Sequence, residues 1–432
     1  MPQDPKFGDL PASPVGTLVP IGGHDGRFGE DYETEAFIPN DLPDEVDLPG
    51  SVWMTVSEAM TELGRLDAAA SLIPNPQLVA RIATRREAVG TSALEGTYAE
   101  LTELFAAEVV PDADLAGHVP PNVREVMNYT RAADSAYEWV TDRPITLSRL
   151  CGLQAEIVRG TPSDGPEAGA LRARQVFIGA RNRRVAEARF VPPPPGDLLR
   201  SRCERWVAWL TAPAPLANIQ LIARVAVAHY QFETLHPFTD GNGRVGRLVA
   251  VLQILREGAL RAPVLAISPW LEDHADEYRD HLLAVSVTGD WAPWIDFFAR
   301  AVRDEARAGH DRIMRLLALR DEAVPRCAQH FRGPGLRSRS PTNSSPTRSC
   351  RWPRRNEDTA GQTKPTETRL PPSSNSASSS PTGQLDTTAC SGTGVSSKSS
   401  SVERRRSLRH LIRGFVDGPR PRPGRHDFDR SR

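Results

Sequence analysis

The stretch Leu235–Arg247, LHPFTDGNGRVGR, brings together one His, one Asp, one Asn, two Arg and three Gly. Its GNGRVG segment matches the dinucleotide-binding fingerprint G-x-G-x-x-G, which is meaningful only between a strand and a helix of a βαβ unit. Apolar residues before the stretch recur at helical spacing, and so do those after it. The sequence therefore predicts a helix, a tight glycine loop and a second helix, which argues against a dinucleotide site.

The glycine loop has the features of an anion site. Because Gly241 and Gly243 flank Asn242, backbone N–H groups can point inward without Cβ atoms blocking a ligand. The helix that follows adds the positive end of its dipole. Arg244 and Arg247 share one face of its first turn, where each can bind a different phosphate. These residues predict a ligand that carries several phosphates.

Two further side chains of the stretch could take part in a reaction. The Asp240 carboxylate could hold Mg²⁺ against phosphate oxygens. His236, at the end of the first helix, has an ordinary pKa near neutrality and could remove a hydroxyl proton as that oxygen attacks phosphorus. Each residue alone has an ordinary structural explanation, and His229 on the same helical face is expected to be a core histidine. Together they predict a phosphoryl or nucleotidyl transfer site.

Helical patterns dominate from Ser51 to about Val324, so the fold class is expected to be mainly α. The exception is Leu171–Pro195, in which QVFIG is typical of a short strand and ARFV of its return before four prolines. Two strands alone are marginal in water. This predicted hairpin therefore either packs on the helices or binds an extended partner.

Composition limits the class of protein. From Arg326 onward the chain has 21 Lys and Arg against 8 Asp and Glu, which leaves 32 basic and 46 acidic residues before it. No segment has the continuous apolar run of a membrane helix, and the first residues lack the apolar core of a secretory signal. The five cysteines include no C-x-x-C pair, which argues against a zinc site or a disulfide framework. We expect a soluble cytoplasmic protein with reduced thiols.

The run HPFTDGNGRVGR resembles the signature of the Fic family, His-Pro-Phe-x-Asp/Glu-Gly-Asn-Gly-Arg-x-x-Arg, and fills every fixed position. The resemblance extends over roughly Ser51–Val302 and includes EAGALRARQVFIG with its later PPPP, the approach AHYQFETLHPF, and GDWAPWIDFF. It implies a Fic-type helical bundle with a small β-hairpin flap. It also implies transfer of AMP from ATP to a Tyr, Ser or Thr hydroxyl of a target protein, with Mg²⁺ as cofactor.

The resemblance assigns roles by position. It implies that His236 is the catalytic base, that Asp240 is the Mg²⁺ ligand and that Arg247 holds the γ-phosphate. By the same likeness the nucleotide-binding residues around the α- and β-phosphates are Gly241, Asn242, Gly243 and Arg244. The flap strand that clamps a target segment by strand addition corresponds to Gln175, Val176, Phe177, Ile178 and Gly179.

The segment TSALEG, Thr91–Gly96, has two interpretations that are compatible with each other. Its backbone is typical of a helix end with Gly96 as the C′ residue. It also resembles the inhibitory motif of the family, Ser/Thr-x-x-x-Glu-Gly/Asn, here N-terminal to the core. By that likeness Glu95 pairs with Arg247 and takes the place of the γ-phosphate, since a carboxylate has a similar fork geometry.

The chain is thereby expected to have five regions. In order they are an extended lead-in (1–50), an N-terminal helical region with the inhibitory motif (51–112), a Fic catalytic core (113–310), a terminal helix extension (311–325) and a low-complexity basic tail (326–432). Many relatives continue into a winged-helix module instead. The tail is either disordered or the product of a reading-frame shift near Val324. Without a fold or aromatic platform beside its arginines, nucleic-acid binding is not expected.

Several functions stay open at this point. Related proteins transfer phosphate, UMP or phosphocholine, and some remove AMP. The intact Gly243 and Arg247 favour ATP in the AMP-donating orientation. The chain could also be a regulator that only senses nucleotides. ATP and a target protein are the expected partners, while the target's identity, self-modification and a homo-oligomer are left open by the sequence.

Overall fold

The structure, a computed structural model, describes Leu10 and residues 12–110, 118–179, 184–212 and 219–330. The predicted tail from residue 331 onward lies outside these residues.

The strands are β1 (Gly16–Asp25) and β2 (Glu30–Pro39). The helices are α1 (Gly50–Ser71), α2 (Pro76–Leu94), α3 (Leu101–Ala107), α4 (Pro121–Tyr137), α5 (Leu147–Val158), α6 (Asp197–Thr211), α7 (Leu221–Leu235), α8 (Asn242–Arg256), α9 (Ser268–Asp273), α10 (Ala275–Thr288) and α11 (Ala292–His330). The prediction of a mainly α fold is confirmed.

Local sequence signals account for the boundaries of several helices. Pro76 and Pro121 occupy first helical positions, where the missing N–H is of no consequence and the fixed φ suits a helix. Thr146 caps α5 through its side-chain oxygen, which accepts from Arg149 N. Gly289 ends α10 in the left-handed region at φ 70°. These signals lie within one turn of each boundary and can be identified from the sequence alone.

Helices α7 and α8 form the centre of the bundle. Almost every residue of both helices is buried, which requires apolar or well-paired side chains on all faces. Two tryptophans from surrounding helices, Trp206 and Trp294, donate their indole N–H groups to the α7 carbonyls of Ala228 and Ala226 at 2.9 and 2.8 Å. The loop between α7 and α8 is therefore carried by the most enclosed elements of the fold.

Helix α2 is fixed by a close contact with the start of α9. The buried Glu87 carboxylate accepts from the backbone N–H and the hydroxyl of Ser268. A Cβ atom at Gly90 would lie 2.7 Å from Pro269 N, so only glycine allows the two backbones to approach this closely. The helix that carries the predicted inhibitory motif is thus an integral part of the bundle.

The region predicted as an extended lead-in, residues 1–50, contains a β-hairpin at residues 16–39 that was not predicted. Strands β1 and β2 pair antiparallel in a continuous register from Gly16 with Pro39 to Asp25 with Glu30. The glycine, proline and aspartate content of this segment predicted an extended lead-in and not a domain. Among the described residues, however, β1 pairs with a strand on one side only, and an edge strand tolerates a proline such as Pro20.

The hairpin predicted within Leu171–Pro195 is reduced to one antiparallel bridge between Ile178 and Phe190. In that register the next hydrogen-bonded pair would be Val176 with Pro192, and proline has no N–H to donate. The Gln175 side chain instead donates to Pro192 O at 2.8 Å. Residues 180–183 at the tip lie outside the described part of the structure.

The terminal helix is longer than expected. Helix α11 continues to His330, so the first five residues of the tail predicted from 326 are helical. Residues 321–326 are all exposed. An exposed helix end has no buried face, so its sequence shows no apolar periodicity. The continuation of α11 could therefore not be predicted from apolar spacing. No helix in the described part of the chain is both long and apolar enough to cross a membrane.

Candidate active site

The loop between α7 and α8 is held in an uncommon backbone conformation. His236 ends α7 with φ 47° and ψ 60°, and it is the one non-glycine residue with a positive φ among those the structure describes. Gly241 precedes α8 with φ 81°. The Asn242 side chain closes the loop, since its Oδ1 accepts from Phe238 N and its Nδ2 donates to Phe238 O, both at 2.8 Å. Left-handed non-glycine residues are uncommon and concentrate at functional sites.

The start of α8 is open to an anion. Within the described residues no side chain caps this helix, and its first amide groups have no intrahelical acceptor. Because the Asn242 side chain is hydrogen-bonded to the Phe238 backbone, the group of Asn242 that can donate to a ligand is its backbone N–H. Gly243 lies in the same turn, and a Cβ atom there would meet the Glu95 carboxylate at 2.1 Å. The Glu95 carboxylate therefore occupies the space above Gly243, at a helix start that favours an anion.

His236 is suited to act as a base. Its Nδ1 lies 3.3 Å from Glu233 O, and because a carbonyl only accepts, Nδ1 carries the proton and Nε2 is left unprotonated. Burial, followed by the charge of Arg172, lowers the pKa of His236 to about 4. The imidazole is thus neutral at pH 7. His229, predicted to be a core histidine, is buried, hydrogen-bonded to Tyr278 and neutral for the same reason.

Glu95 and Arg247 form an ion pair beside the loop. Arg247 NH2 lies 2.6 Å from Glu95 Oε1, and Arg247 Nε donates to Thr91 Oγ1 at 2.7 Å. The arginine side chain is 2% exposed and the glutamate 39% exposed. Burial is the largest single influence and acts to raise the pKa of Glu95, but the charge and hydrogen bond of Arg247 together with the nearby charge of Arg244 outweigh it, and the pKa is lowered. The pair is ionised at neutral pH, and residues 152 positions apart in the chain meet here.

The end of α2 positions Glu95 for this contact. Thr97 N donates to Ser92 O and Gly96 N to Ala93 O, both at 2.9 Å, with Gly96 at φ 88°. This is a Schellman motif, and it confirms the prediction of Gly96 as the C′ residue. The backbone of TSALEG therefore ends a helix, and that ending directs the Glu95 carboxylate at Arg247.

Arg244 and Asp240 form a second charged group. Arg244 is buried and contacts Glu125 and Asp240, with NH2 3.2 Å from Asp240 Oδ1. Asp240 Oδ2 accepts from Ser163 Oγ at 2.6 Å, and its side chain is 43% exposed. Glu125 and Ser163 were not predicted from the sequence, because neither belongs to a motif.

Arg172 is a further residue that sequence reasoning missed. Its buried guanidinium donates to three carbonyl oxygens, those of His236, Arg174 and Pro193. Burial lowers its pKa to about 10, so it stays charged at pH 7. It joins the base of the flap to the residue that precedes the glycine loop. The sequence LRARQ, with two arginines separated by one alanine, does not indicate such a role, because the partners of Arg172 are backbone atoms.

A cavity of about 220 Å³ unites most of the predicted residues. Its polar lining includes Glu95, Glu233, His236, Asp240, Gly241, Asn242, Gly243 and Arg247, and its apolar lining includes Ile178, Phe190, Leu282 and Leu283. Arg244 and four of the five flap residues, all except Ile178, are not part of the lining. The structure therefore brings the loop, Glu95 of the predicted inhibitory motif and one predicted flap residue together.

Glu233 lies in this cavity wall without a role in the predicted chemistry. Its Oε1 has no hydrogen-bond partner among the described residues. Burial raises its pKa from an ordinary 4.5 to about 7. The folded protein therefore holds this proton more tightly than the unfolded chain does. The contribution of Glu233 to stability falls as the pH rises from about 4.5 to about 7.

Replacing Glu233 by Gln is therefore expected to raise the melting temperature at pH 8 by about 3 °C, with a much smaller change at pH 5. Thermal unfolding of wild type and variant at both pH values measures this difference. The exposed Glu204→Gln on α6 is a matched control and should change neither value. Equal shifts at pH 5 and pH 8 would show that Glu233 does not titrate in this range.

Known proteins resemble this chain in sequence and in fold. The Fic/DOC family N-terminal model matches residues 53–138, and the Fic/DOC family model matches residues 144–254. The protein adenylyltransferase fic-1 of Caenorhabditis elegans is 36% identical over 138 residues, which are 32% of this chain and 24% of that protein. The protein adenylyltransferase Fic of Culex quinquefasciatus is 34% identical over 161 residues, 36% of this chain and 27% of the relative.

The matched region is short relative to these proteins, since the chain spans about a quarter of the length of the curated relatives. The crystal structure of a Fic family protein from Desulfovibrio desulfuricans G20 has the same fold, with a TM-score of 0.50 at 23% identity. The alignment covers 61% of this chain and 75% of that one. Two consecutive family regions and a complete signature loop at the N-terminus of a buried helix show that residues 53–254 of this chain contain a Fic/DOC N-terminal region and a Fic/DOC domain.

Proposed function

We propose that this protein is a protein adenylyltransferase, which transfers AMP from ATP to a Tyr, Ser or Thr hydroxyl of a target protein. The observation that carries the proposal is the cavity in which a neutral His236 faces the open amide end of α8 and the buried cation Arg247. The names of the curated relatives, protein adenylyltransferases, support the same reaction class.

The geometry suits an in-line displacement at the α-phosphorus. The amide groups at the start of α8 bind phosphate oxygens, and Arg247 binds the γ-phosphate, which sets the position of the nucleotide. His236 Nε2 accepts the proton of the acceptor hydroxyl as its oxygen bonds to the α-phosphorus. The bond from that phosphorus to the β-phosphate oxygen breaks, and pyrophosphate leaves with its electron pair.

Asp240 is the residue that would hold Mg²⁺. Among the described residues no group of three or more His, Cys, Asp or Glu side chains could bind a metal ion by itself. Mg²⁺ is commonly bound through one or two carboxylates together with substrate phosphates. One half-exposed carboxylate beside the amide end of α8 fits an ion that arrives with the nucleotide. When bound, the ion would neutralise phosphate charge.

We propose further that Glu95 inhibits the enzyme. Its carboxylate lies against Gly243 and pairs with Arg247, so it takes both the space and the partner of a terminal phosphate. Thr91 holds the same guanidinium from the other side with its hydroxyl and its carbonyl oxygen. ATP therefore has to displace a carboxylate that has the correct geometry for Arg247.

Intact mass spectrometry of a modified protein tests the reaction. The Glu95→Gly chain, incubated with ATP and Mg²⁺, is expected to add about 329 Da to itself or to an acceptor, the mass of one AMP group. A gain of about 80 Da would mean phosphate transfer, and loss of mass from a previously modified acceptor would mean AMP removal. Nucleotide binding without any covalent change would favour a sensing regulator.

A further inference from the structure

The β1–β2 hairpin packs on the flap. It lies before residue 53, where the match to the family begins. At its end Phe37 N donates to Val191 O at 2.9 Å, and on the other side of that segment Ile178 N donates to Phe190 O at 2.9 Å. Strand β2, the Phe190–Val191 segment and Ile178 thus lie side by side, as three strands of a sheet do.

The hairpin also buries the apolar side of the flap. Leu10, Phe37, Phe190 and Leu283 form a buried cluster separate from the main core, with Ile178 packed against it. The ring of Phe37 is fully buried and lies 5.6 Å from that of Phe190 in an edge-on arrangement. The flap therefore rests on the hairpin and on α10 more than on the central helices.

Two contacts reach the outer part of the flap. The ring of Tyr32 meets that of Phe177 edge-on at 5.1 Å. Glu30 forms an ion pair with Arg184 at 3.1 Å, on the other side of the flap turn. The hairpin thereby contacts both segments of the flap, including the strand that the family resemblance assigns to target docking.

The hairpin itself is fixed to the helical body. Asn40 O accepts from the Gln231 side chain of α7 at 2.9 Å. Gly289, in the turn between α10 and α11, is so close to Pro14 that a Cβ atom at Gly289 would lie 2.5 Å from the proline ring. A contact between hairpin and flap therefore ties the flap to the body that carries the active site.

We propose that the β1–β2 hairpin is a positioning element for the acceptor protein, with Tyr32 and Glu30 holding the flap strand to which an extended acceptor segment adds. The proposal rests on the proposed function. Ile178 pairs with Phe190, so the N–H of the preceding Phe177 is directed to the opposite edge of the flap strand, and among the described residues no acceptor binds it, which leaves this edge available for pairing. One bridge alone holds a flap weakly. Ordering the flap in advance reduces the entropy lost when the acceptor binds.

Hydrogen–deuterium exchange of the full-length chain tests the positioning directly. In the double variant Glu30→Ala, Tyr32→Ala, the amides of residues 175–179 and 189–191 are expected to exchange about tenfold faster. Exchange of residues 236–247 and the affinity for ATP should not change. The matched control is Glu33→Ala, an exposed residue of β2. Unchanged flap exchange in the double variant, or equal acceleration in the control, would overturn the proposal.

A kinetic measurement tests its consequence for the acceptor. With Glu95→Gly as the enzyme and the inactive His236→Ala chain as the acceptor, the double variant should raise the acceptor KM about tenfold and leave kcat within about twofold. A fall in kcat at constant KM would contradict a positioning role. If the Glu95→Gly chain transfers AMP to no protein at all, the proposed function fails, and the exchange experiment still decides whether the hairpin holds the flap.

Discussion

Replacing Glu95 by Gly is expected to raise the rate of AMP transfer about a hundredfold, which corresponds to about 2.7 kcal/mol of preference for the inhibited arrangement. The reason is competition for one guanidinium. Arg247 bonds to Glu95 at 2.6 Å and cannot hold a γ-phosphate at the same time. Removing the carboxylate also clears the space above Gly243. Initial rates of labelling at several ATP concentrations measure the effect.

A second substitution separates this explanation from general loosening of the site. The double change Glu95→Gly with Arg247→Ala should return to low activity, because the cation released by the first change is then absent. Glu103→Gly, on the neighbouring α3, is a control that removes a carboxylate away from the cavity lining. If Glu95→Gly binds ATP as well as the wild type and is no more active, Glu95 is an ordinary helix-end residue.

His236→Ala is expected to lower the rate of transfer by about a thousandfold or more while the affinity for ATP stays within about twofold. In the proposed reaction the imidazole acts on the incoming hydroxyl, whereas the amides of α8 and Arg247 bind the nucleotide. Titration of ATP binding beside single-turnover rates, both in the Glu95→Gly background, measures the two quantities separately.

The left-handed backbone at position 236 requires a second variant. Asn accepts this conformation more readily than Ala, so His236→Asn removes the base with less disturbance of the loop. Both variants should lose transfer, and His310→Ala on α11 should not, since it lies outside the cavity lining. Loss of ATP affinity in His236→Asn that matches its loss of rate would place His236 in nucleotide binding instead.

The features that local sequence determines were predicted correctly. A helix on each side of the loop follows from apolar spacing, and Gly96 as a helix terminator follows from its lack of a Cβ atom. The pairing of Glu95 with Arg247 was implied by resemblance alone. Apolar periodicity cannot relate a helix end to a residue 152 positions later.

The contacts that sequence reasoning missed have a common physical character. Arg172 binds carbonyl oxygens 64 and 21 residues away, and every residue offers such an oxygen, so no side-chain pattern marks its partners. The β1–β2 hairpin was missed because its glycine and proline content lowers the strand signal. Its stability comes from packing against Phe190 and Leu283, which lie far away in the chain.

The anchoring of α2 to α9 has a consequence for the regulation of the enzyme. Glu95 is attached to a helix held by Glu87 and Gly90, so its carboxylate is a tethered ligand whose effective concentration at Arg247 is far above that of a freely diffusing competitor. In the proposed inhibition, a movement of the last turn of α2 that withdraws Glu95 would free Arg247 for ATP without any change in the ATP concentration.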